Sequence, residues 1–246
     1  MNNILYRLFL QFCIIILIAS SLSAPRKAGA DVGWKKIKSK NGIKIFSRKV
    51  EGSSLLAFKG MATVNTSIGT LINVINDKPR HKEWVTRLAE SDTVRLFTPL
   101  ESIEYTHVYG IWPIADRDVV FHSKAIINQV KGEVVLLMHS VTDSAMPERD
   151  GIVRAELMES KYVLTILDDN KTSIEAEFHG DPKGWVPAWI ANFFQRRWPF
   201  TTLKSLKEQA EKLEKEKVYP VYNSLFEYYL PLAEKYKDRK ARLKEY

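Results

Sequence analysis

The sequence predicts an α+β fold in which a curved antiparallel sheet wraps around one long helix near the C-terminus. Alternating apolar and polar residues recur in short runs between turn residues over most of the chain, a pattern typical of antiparallel strands. An apolar stripe at helical spacing follows the last of these runs, over residues 187–217. With 45% hydrophobic residues and no internal repeat or low-complexity linker, residues 31–217 are predicted to form a single domain.

The first third of this domain alternates between strands and one short helix. Asn41-Gly42 is a turn pair, and strands are predicted over residues 43–48 and 53–64. Thr66-Ser67 then caps a helix. The apolar face of that helix is formed by Ile68, Leu71, Ile72 and Ile75. Pro79 ends the helix because its ring blocks a further helical turn.

The middle of the chain predicts antiparallel strands joined by tight turns. The predicted strands are residues 94–97, 103–109, 119–128, 133–141, 152–167 and 173–179. Turn residues stand at 131–132 and 168–171. The helix of residues 187–217 carries its stripe on Leu203, Leu206, Ala210 and Leu213. This stripe needs an apolar partner, and we expect the concave face of the sheet to supply it.

Residues 1–30 have the features of a cleaved signal peptide. Arg7 precedes an apolar run over residues 8–19, and Ala28-Gly29-Ala30 offers the small residues that a signal peptidase recognises. We therefore expect an exported protein, periplasmic or secreted. The alternative is an uncleaved membrane anchor, although the run is shorter than the roughly 20 residues that a spanning helix needs.

Cysteine content and charge exclude several kinds of chemistry. Cys13 is the only cysteine, so cleavage after residue 30 would leave no disulfide, catalytic thiol or cysteine-ligated metal. The net charge is +8, and loss of three basic residues with the signal peptide would leave +5. This basic bias could favour transient contact with an anionic membrane surface. In residues 204–217, however, acidic residues alternate with lysines, which favours an ion-paired solvated helix face. We expect a monomer that binds no nucleic acid.

Three short motifs follow one another along the chain. Residues 112–119 read Trp-Pro-Ile-Ala-Asp-Arg-Asp-Val. Met146-Pro147 is followed by Gly151-Ile152-Val153-Arg154-Ala155. Residues 184–192 have the pattern Gly-x-x-Pro-x-Trp-x-x-Asn. In this order the segments resemble Trp-Pro-x-x-x-Arg-Asp-Phe, Met-Pro…Gly-x-x-Arg-Ala and the start of the C-terminal helix in the START domains, the lipid-transfer family of the steroidogenic acute regulatory protein.

The resemblance implies a helix-grip fold with an apolar tunnel between sheet and helix, in which a lipid binds. In the cholesterol-binding branch an acidic and a basic side chain meet in that cavity. Alignment puts Val108 at the position of the acid and Ser123 at the position of the base, so sterol specificity does not carry over.

Candidate ligand-binding residues are the aromatic and polar side chains predicted to surround this cavity. They are Trp84, Tyr105, His107, Trp112, Arg154, Glu156, Trp189, Phe193 and Phe194. Arg154 and Glu156 match the family and fall on one strand face, with a structural ion pair as the alternative. A second set, Asp116, Arg117, Asp118, Gly184 and Pro187, is assigned to holding loops and turns in place.

Aromatic residues cluster where we expect the tunnel to open. Trp112 lies in a loop between strands and is predicted to act as a gate. Five aromatic residues between 185 and 198 do not all fit on one helical stripe. Some must therefore face outward, beside Arg196 and Arg197, where they could contact a membrane surface, with plain core packing as the alternative.

The predicted function is binding and transfer of a hydrophobic ligand, a lipid, without catalysis and without a cofactor. Common nucleophile, phosphate-binding and zinc motifs are missing, and the five histidines show no metal-binding spacing. One alternative is a helix-grip enzyme acting on a hydrophobic substrate, with Glu156, Arg154 and His107 as its reacting groups. Another is an adaptor that recruits a partner through its extension, residues 218–246.

Overall fold

A computed structural model describes residues 33–219 of the 246-residue chain. The chain divides into two units, Met1–Asp31 and Val32–Tyr246, and the described residues all belong to the second. The predicted signal peptide, residues 1–30, and all but the first two residues of the predicted extension, 218–246, lie outside the described residues. None of the described helices is long and apolar enough to span a membrane.

The described residues form ten strands, three α-helices and one 3₁₀ helix. The strands are β1 Lys35–Lys40, β2 Ile43–Lys49, β3 Leu56–Val64, β4 Leu88–Thr98, β5 Glu101–Val108, β6 Asp116–Asn128, β7 Glu133–Ser140, β8 Ile152–Arg154, β9 Glu156–Asp168 and β10 Lys171–Asp181. The helices are α1 Ile68–Asn76, the 3₁₀ helix Lys78–Glu83, α2 Ala188–Gln195 and α3 Trp198–Lys215.

Nine strands form one antiparallel sheet in the order β1-β2-β3-β10-β9-β7-β6-β5-β4. The short strand β8 lies off this path and pairs in parallel with β6. The predicted α+β helix-grip fold is therefore confirmed. One predicted strand, residues 152–167, is wrong as a single element, because the chain breaks at Ala155. The amide of Ala155 donates to the carbonyl of Asp118 at 2.8 Å, which directs β8 towards β6.

The long C-terminal helix is also two helices. The prediction of one helix over residues 187–217 is wrong at Arg196 and Arg197, which separate α2 from α3. Pro199 lies in the first turn of α3. A proline inside a continuous helix would remove one hydrogen bond and clash with the preceding turn, so the helix restarts there.

The core lies between the concave face of the sheet and the helices. The predicted stripe of Leu203, Leu206, Ala210 and Leu213 is buried against the sheet. Gly60 of β3 allows this close approach, because a Cβ there would lie 2.5 Å from Cδ1 of Leu203. Helix α1 packs beside α3 and is capped by Ser67, whose side chain accepts from the amide of Thr70.

Candidate functional site

A cavity of about 510 Å³ lies between the concave face of the sheet and the helices. Its floor is formed by every second residue of β5, β6, β7, β9 and β10, those whose side chains point to the concave face. Its roof is formed by α1, the 3₁₀ helix, the end of α2 and the start of α3. The wall is mostly apolar and includes Ile72, Trp84, Phe121, Leu136, Leu164, Phe178 and Trp198.

Small side chains keep the middle of the floor open. Strand register puts Ser102 beside Ser123, Ser123 beside Met138, Met138 beside Ser160, and Ser160 beside Phe178. Three of the five residues in this row are therefore serines, where larger side chains would fill the cavity. Ser123 and Val108, the two positions that alignment matched to the charged pair of the cholesterol-binding branch, both line the cavity.

An ion pair that sequence reasoning missed lies in this wall. Glu104 is buried, and its carboxylate accepts hydrogen bonds from Ser102 at 2.7 Å and from Thr93 at 3.0 Å. The ammonium group of Lys78 lies 2.9 Å from the same carboxylate. The cavity thus contains an acid and a base even though Val108 carries no charge. Ser102, Glu104, Thr106 and Val108 alternate along β5 and share one face, so the position of Val108 could have indicated that Glu104 faces the cavity. No local pattern indicated that Lys78 lies there too.

His81 supports the segment that carries Lys78 and Trp84. Its Nε2 lies 2.8 Å from the carbonyl of Ile75, and its Nδ1 lies 3.0 Å from the hydroxyl of Ser91. The ring packs edge-on against the indole of Trp84. Burial, together with the charge of Lys78, lowers the pKa of His81 to about 4, so the imidazole is neutral at pH 7.

Of the predicted ligand-binding residues, Trp84 and Glu156 line the cavity. Trp84 contributes to the roof. The carboxylate of Glu156 is nearly half exposed and pairs with Lys183 at 2.6 Å, so it lies at the edge of the cavity and not deep inside it.

Tyr105 and His107 lie on the opposite face of the sheet, which corrects the expectation that they surround the cavity. They alternate with Glu104 and Thr106 along β5. The hydroxyl of Tyr105 donates to Asp118 at 3.2 Å, and the guanidinium of Arg149 covers its ring. The Nε2 of His107 lies 2.9 Å from a carboxylate oxygen of Asp116. Both residues are partnered by the protein itself.

Arg154 also lies outside the cavity lining. Its guanidinium binds both carboxylate oxygens of Asp118, at 2.7 and 3.1 Å, and donates to the carbonyls of Met146 and Pro147. This geometry fixes the loop before β8 to the start of β6. The three groups named for the enzyme alternative, Glu156, Arg154 and His107, are therefore not brought together.

The remaining residues of the charged motif and the turn after β10 hold the edge of the cavity. Asp116 accepts from the amide of Gly110 at 2.8 Å, and this bond, with that to His107, lowers the pKa of Asp116. Arg117 donates to the carbonyls of Pro182 and Lys183, both at 3.3 Å, and burial lowers its pKa. Gly184 completes this turn with a φ of +67°.

The aromatic residues of α2, of the turn before it and of the loop between β5 and β6 lie on the surface. Trp112, Trp185 and Trp189 are 91%, 92% and 73% exposed, and Phe193 and Phe194 are exposed as well. Arg196 and Arg197 both lie over the ring of Phe193. The expectation that Trp112, Trp189, Phe193 and Phe194 line the cavity is thus corrected. All four side chains are exposed, Phe193 lies beside Phe194 and under the two arginines, and contact of these residues with a ligand during exchange stays a prediction.

Two side chains attach α2 to the sheet. The carbonyl oxygen of the Asn192 amide accepts from the backbone amide of Leu56 at 2.8 Å, and its nitrogen donates to the carbonyl of Ser54 at 3.1 Å. Gln195 donates to the carbonyl of Gly180 at 3.0 Å. Pro187 caps the helix, and its carbonyl accepts from Ile190 and Ala191. Within residues 33–219 no three His, Cys, Asp or Glu side chains are arranged to hold a metal ion.

The comparison with protein families matches the START domain model to residues 22–215. An uncharacterized protein of Pseudomonas aeruginosa is 26% identical over 180 residues, which are 73% of this chain and 87% of that protein. Mouse START domain-containing protein 10 is 25% identical over 165 residues, which are 66% of this chain and 56% of that protein.

Solved structures agree. A fragment of the STAR-related lipid transfer protein of Xanthomonas axonopodis is 28% identical, with a TM-score of 0.65 over 72% of this chain and 98% of the fragment. Human STARD10, at 21% identity, has the same fold, with a TM-score of 0.70 over 82% of this chain and 86% of that one. The family model covers most of the chain and the fold agrees with it, so this protein belongs to the START domain family.

Proposed function

We propose that this protein binds one hydrophobic molecule, a lipid, in the cavity and transfers it between membranes without chemical change. The observation that carries the proposal is the cavity itself, which is largely apolar and is enclosed between the sheet and the helices. The relative from Xanthomonas axonopodis, which is named a lipid transfer protein, supports it.

The physical driving force is the removal of apolar surface from water. Each 100 Å² of ligand surface that enters a dry apolar cavity contributes about 2.5 kcal/mol, from which the cost of ordering the ligand is subtracted. A lipid needs no specific chemistry to be held in this way. The pair of Lys78 and Glu104 gives the wall one polar position. Because the two charges compensate each other, this position suits an uncharged polar group of the ligand.

Exchange requires the roof to open. We propose that α2 and the loop that carries Trp112 part from the sheet edge at a membrane surface. Helix α2 is short, is separated from α3 at Arg196 and Arg197, and buries only Ala191 fully. The exposed tryptophans and the two arginines over Phe193 suit a membrane interface, because indole rings and cationic side chains both bind there.

We further propose that the protein is exported, with residues 1–30 removed as a signal peptide. An exported carrier would contact membrane surfaces from the periplasm or from outside the cell. Protein recovered from its native host should begin at Asp31 or within a few residues of it by N-terminal sequencing. Recovery of intact Met1 in a membrane fraction would support the anchor instead.

Filling the cavity tests the function. Ser123→Phe and Ser160→Phe should each place a ring in the middle of the floor and abolish binding of a fluorescent acyl lipid and its transfer between vesicles. Ser173→Phe is the matched control, because Ser173 follows the opposite alternation on β10 and lies outside the cavity lining. Circular dichroism should show all three variants folded. Undiminished transfer by the folded cavity variants would contradict the proposal.

A further inference from the structure

The convex face of the sheet, opposite the lipid cavity, carries a second pocket of about 370 Å³. It lies where β2, β3, β10, β9 and β7 run side by side. Its lining contains ionisable side chains, in contrast to the largely apolar wall of the first cavity. They include Arg48, His139, Glu159, Lys161 and His179.

Strand register arranges the floor of this pocket as a row across the sheet. Arg48 of β2 lies beside Ala57 of β3. Phe58 of β3 pairs with Phe178 of β10, so His179 of β10 lies beside Ala57 on the side opposite Arg48. Glu159 of β9 follows beside His179. The small methyl group of Ala57 therefore leaves a gap in the row, with Arg48 on one side and His179 on the other.

Both side chains that flank the gap lack partners for buried nitrogens. His179 is 8% exposed, and its Nε2 has no hydrogen-bond partner among residues 33–219. The Nε of Arg48 is likewise buried and has no hydrogen-bond partner in the described part of the chain, while the guanidinium lies over the ring of Trp34. Unpaired buried donors are rare, and one established reason for them is an ion or water that belongs at the site.

We propose that this pocket binds a small oxyanion, a phosphate or carboxylate group, which lies over Ala57 and is held by Arg48 and His179. The bound group completes a row in which charges alternate across the strands. The order is the Arg48 guanidinium, the oxyanion, the protonated His179 imidazole and the Glu159 carboxylate. Charge-assisted hydrogen bonds from two sides are the strongest kind that a protein offers to an oxyanion.

The other charges around His179 leave room for this role. Glu177 is compensated by Lys59 at 3.6 Å and by Lys161 at 3.4 Å. His139 is exposed beyond Glu159. In the absence of an anion, burial lowers the pKa of His179, Glu159 raises it and Arg48 lowers it. An oxyanion in the gap would offset the charge of Arg48, so anion binding should be coupled to proton uptake by His179 and should weaken as the pH rises.

The test is a titration of the folded protein, carrying ¹³C-labelled histidine, with inorganic phosphate at pH 6 in constant ionic strength. The Cε1–H resonance of His179 should move with a saturable profile, and phosphate should raise the pKa of His179. Arg48→Gln should weaken binding about tenfold, as expected for the loss of one charge-assisted contact. Lys124→Gln is the matched control, since it removes the same charge from an exposed position on the same face.

Two results would overturn the proposal: a His179 resonance that moves neither with inorganic phosphate nor with vesicles that contain phosphatidic acid, or an equal loss of binding in both variants. Ala57→Leu should abolish phosphate binding by filling the gap, and Arg48→Gln provides the answer if that variant does not fold. The second arm of the test uses vesicles that contain phosphatidic acid. If binding depends on Arg48 in the vesicle arm alone, the oxyanion is a lipid headgroup. If binding occurs in the phosphate arm, the oxyanion is a free phosphate group. Acyl-lipid binding in the cavity should be the same in Arg48→Gln and in the wild type.

Discussion

The attachment of α2 to the sheet offers a direct test of how the cavity opens. Asn192→Ala removes both hydrogen bonds of that side chain, to the amide of Leu56 at 2.8 Å and to the carbonyl of Ser54 at 3.1 Å. Each bond contributes about 1 kcal/mol net, and the one to Ser54 contributes less because it is exposed. The closed state of α2 should therefore lose between about 1 and 2 kcal/mol, which raises the opening constant about 5- to 30-fold.

Two assays report this change independently. Hydrogen exchange should accelerate by that factor at the amides of α2 and at Leu56, while the amides of β6, β7 and β9 remain as protected as in the wild type. Transfer of a fluorescent acyl lipid between vesicles should accelerate as well, provided that opening limits the rate. Asn192→Asp keeps the acceptor for the amide of Leu56 and should show a smaller effect.

The control variant is Lys204→Ala, which removes an exposed ion pair with Glu208 on α3. Such a pair contributes at most about 0.5 kcal/mol, so neither assay should change by more than about twofold. The reasoning fails if Asn192→Ala leaves the exchange of α2 unchanged. It also fails if exchange rises equally across the sheet, because Asn192 would then stabilise the whole domain and not the closed state.

The remaining predictions concern stability. Gly60→Val should destabilise the domain by about 1–3 kcal/mol in urea unfolding, because its Cβ would lie 2.5 Å from Cδ1 of Leu203 and 3.1 Å from Cβ of Pro199. Gly33→Val, which meets no atom within 4 Å, should be neutral, and equal losses would contradict the packing account. His81 is neutral in the folded state because its pKa falls from 6.5 to about 4. The stabilisation that depends on neutral His81 is therefore complete above pH 6.5 and is lost as the pH falls towards 4. The free energy of unfolding should fall by about 2 kcal/mol between pH 7 and pH 5 for this reason. His81→Gln should flatten this part of the pH profile, and an unchanged slope would refute the assignment.

Local patterns predicted the elements whose signals depend on near neighbours in the chain. The stripe on α3 and the Ser67 cap of α1 both follow from spacing within a few residues, and both are found. The break between α2 and α3 was also visible in Pro199. It was missed because the apolar residues on either side continue at helical spacing.

The cavity lining was predicted less well, for a physical reason. Strand alternation separates the two faces of β5 but does not say which face is inward, and both faces are covered. Glu104 faces the cavity, while Tyr105 is buried on the other side under Arg149. The partner of Glu104 is Lys78, which a 3₁₀ helix brings from 26 positions earlier in the chain. No local pattern carries that information.

The central claim is that the cavity between sheet and helices carries a lipid. The most direct measurement is native mass spectrometry of the chain purified from its own host, followed by organic extraction of the same sample. The account predicts a mass above that of the bare chain by one molecule, recovery of that molecule as a lipid in the extract, and its loss in Ser123→Phe but not in Ser173→Phe. The mass of the bare chain with an empty extract, together with no uptake of lipid from vesicles, would contradict it.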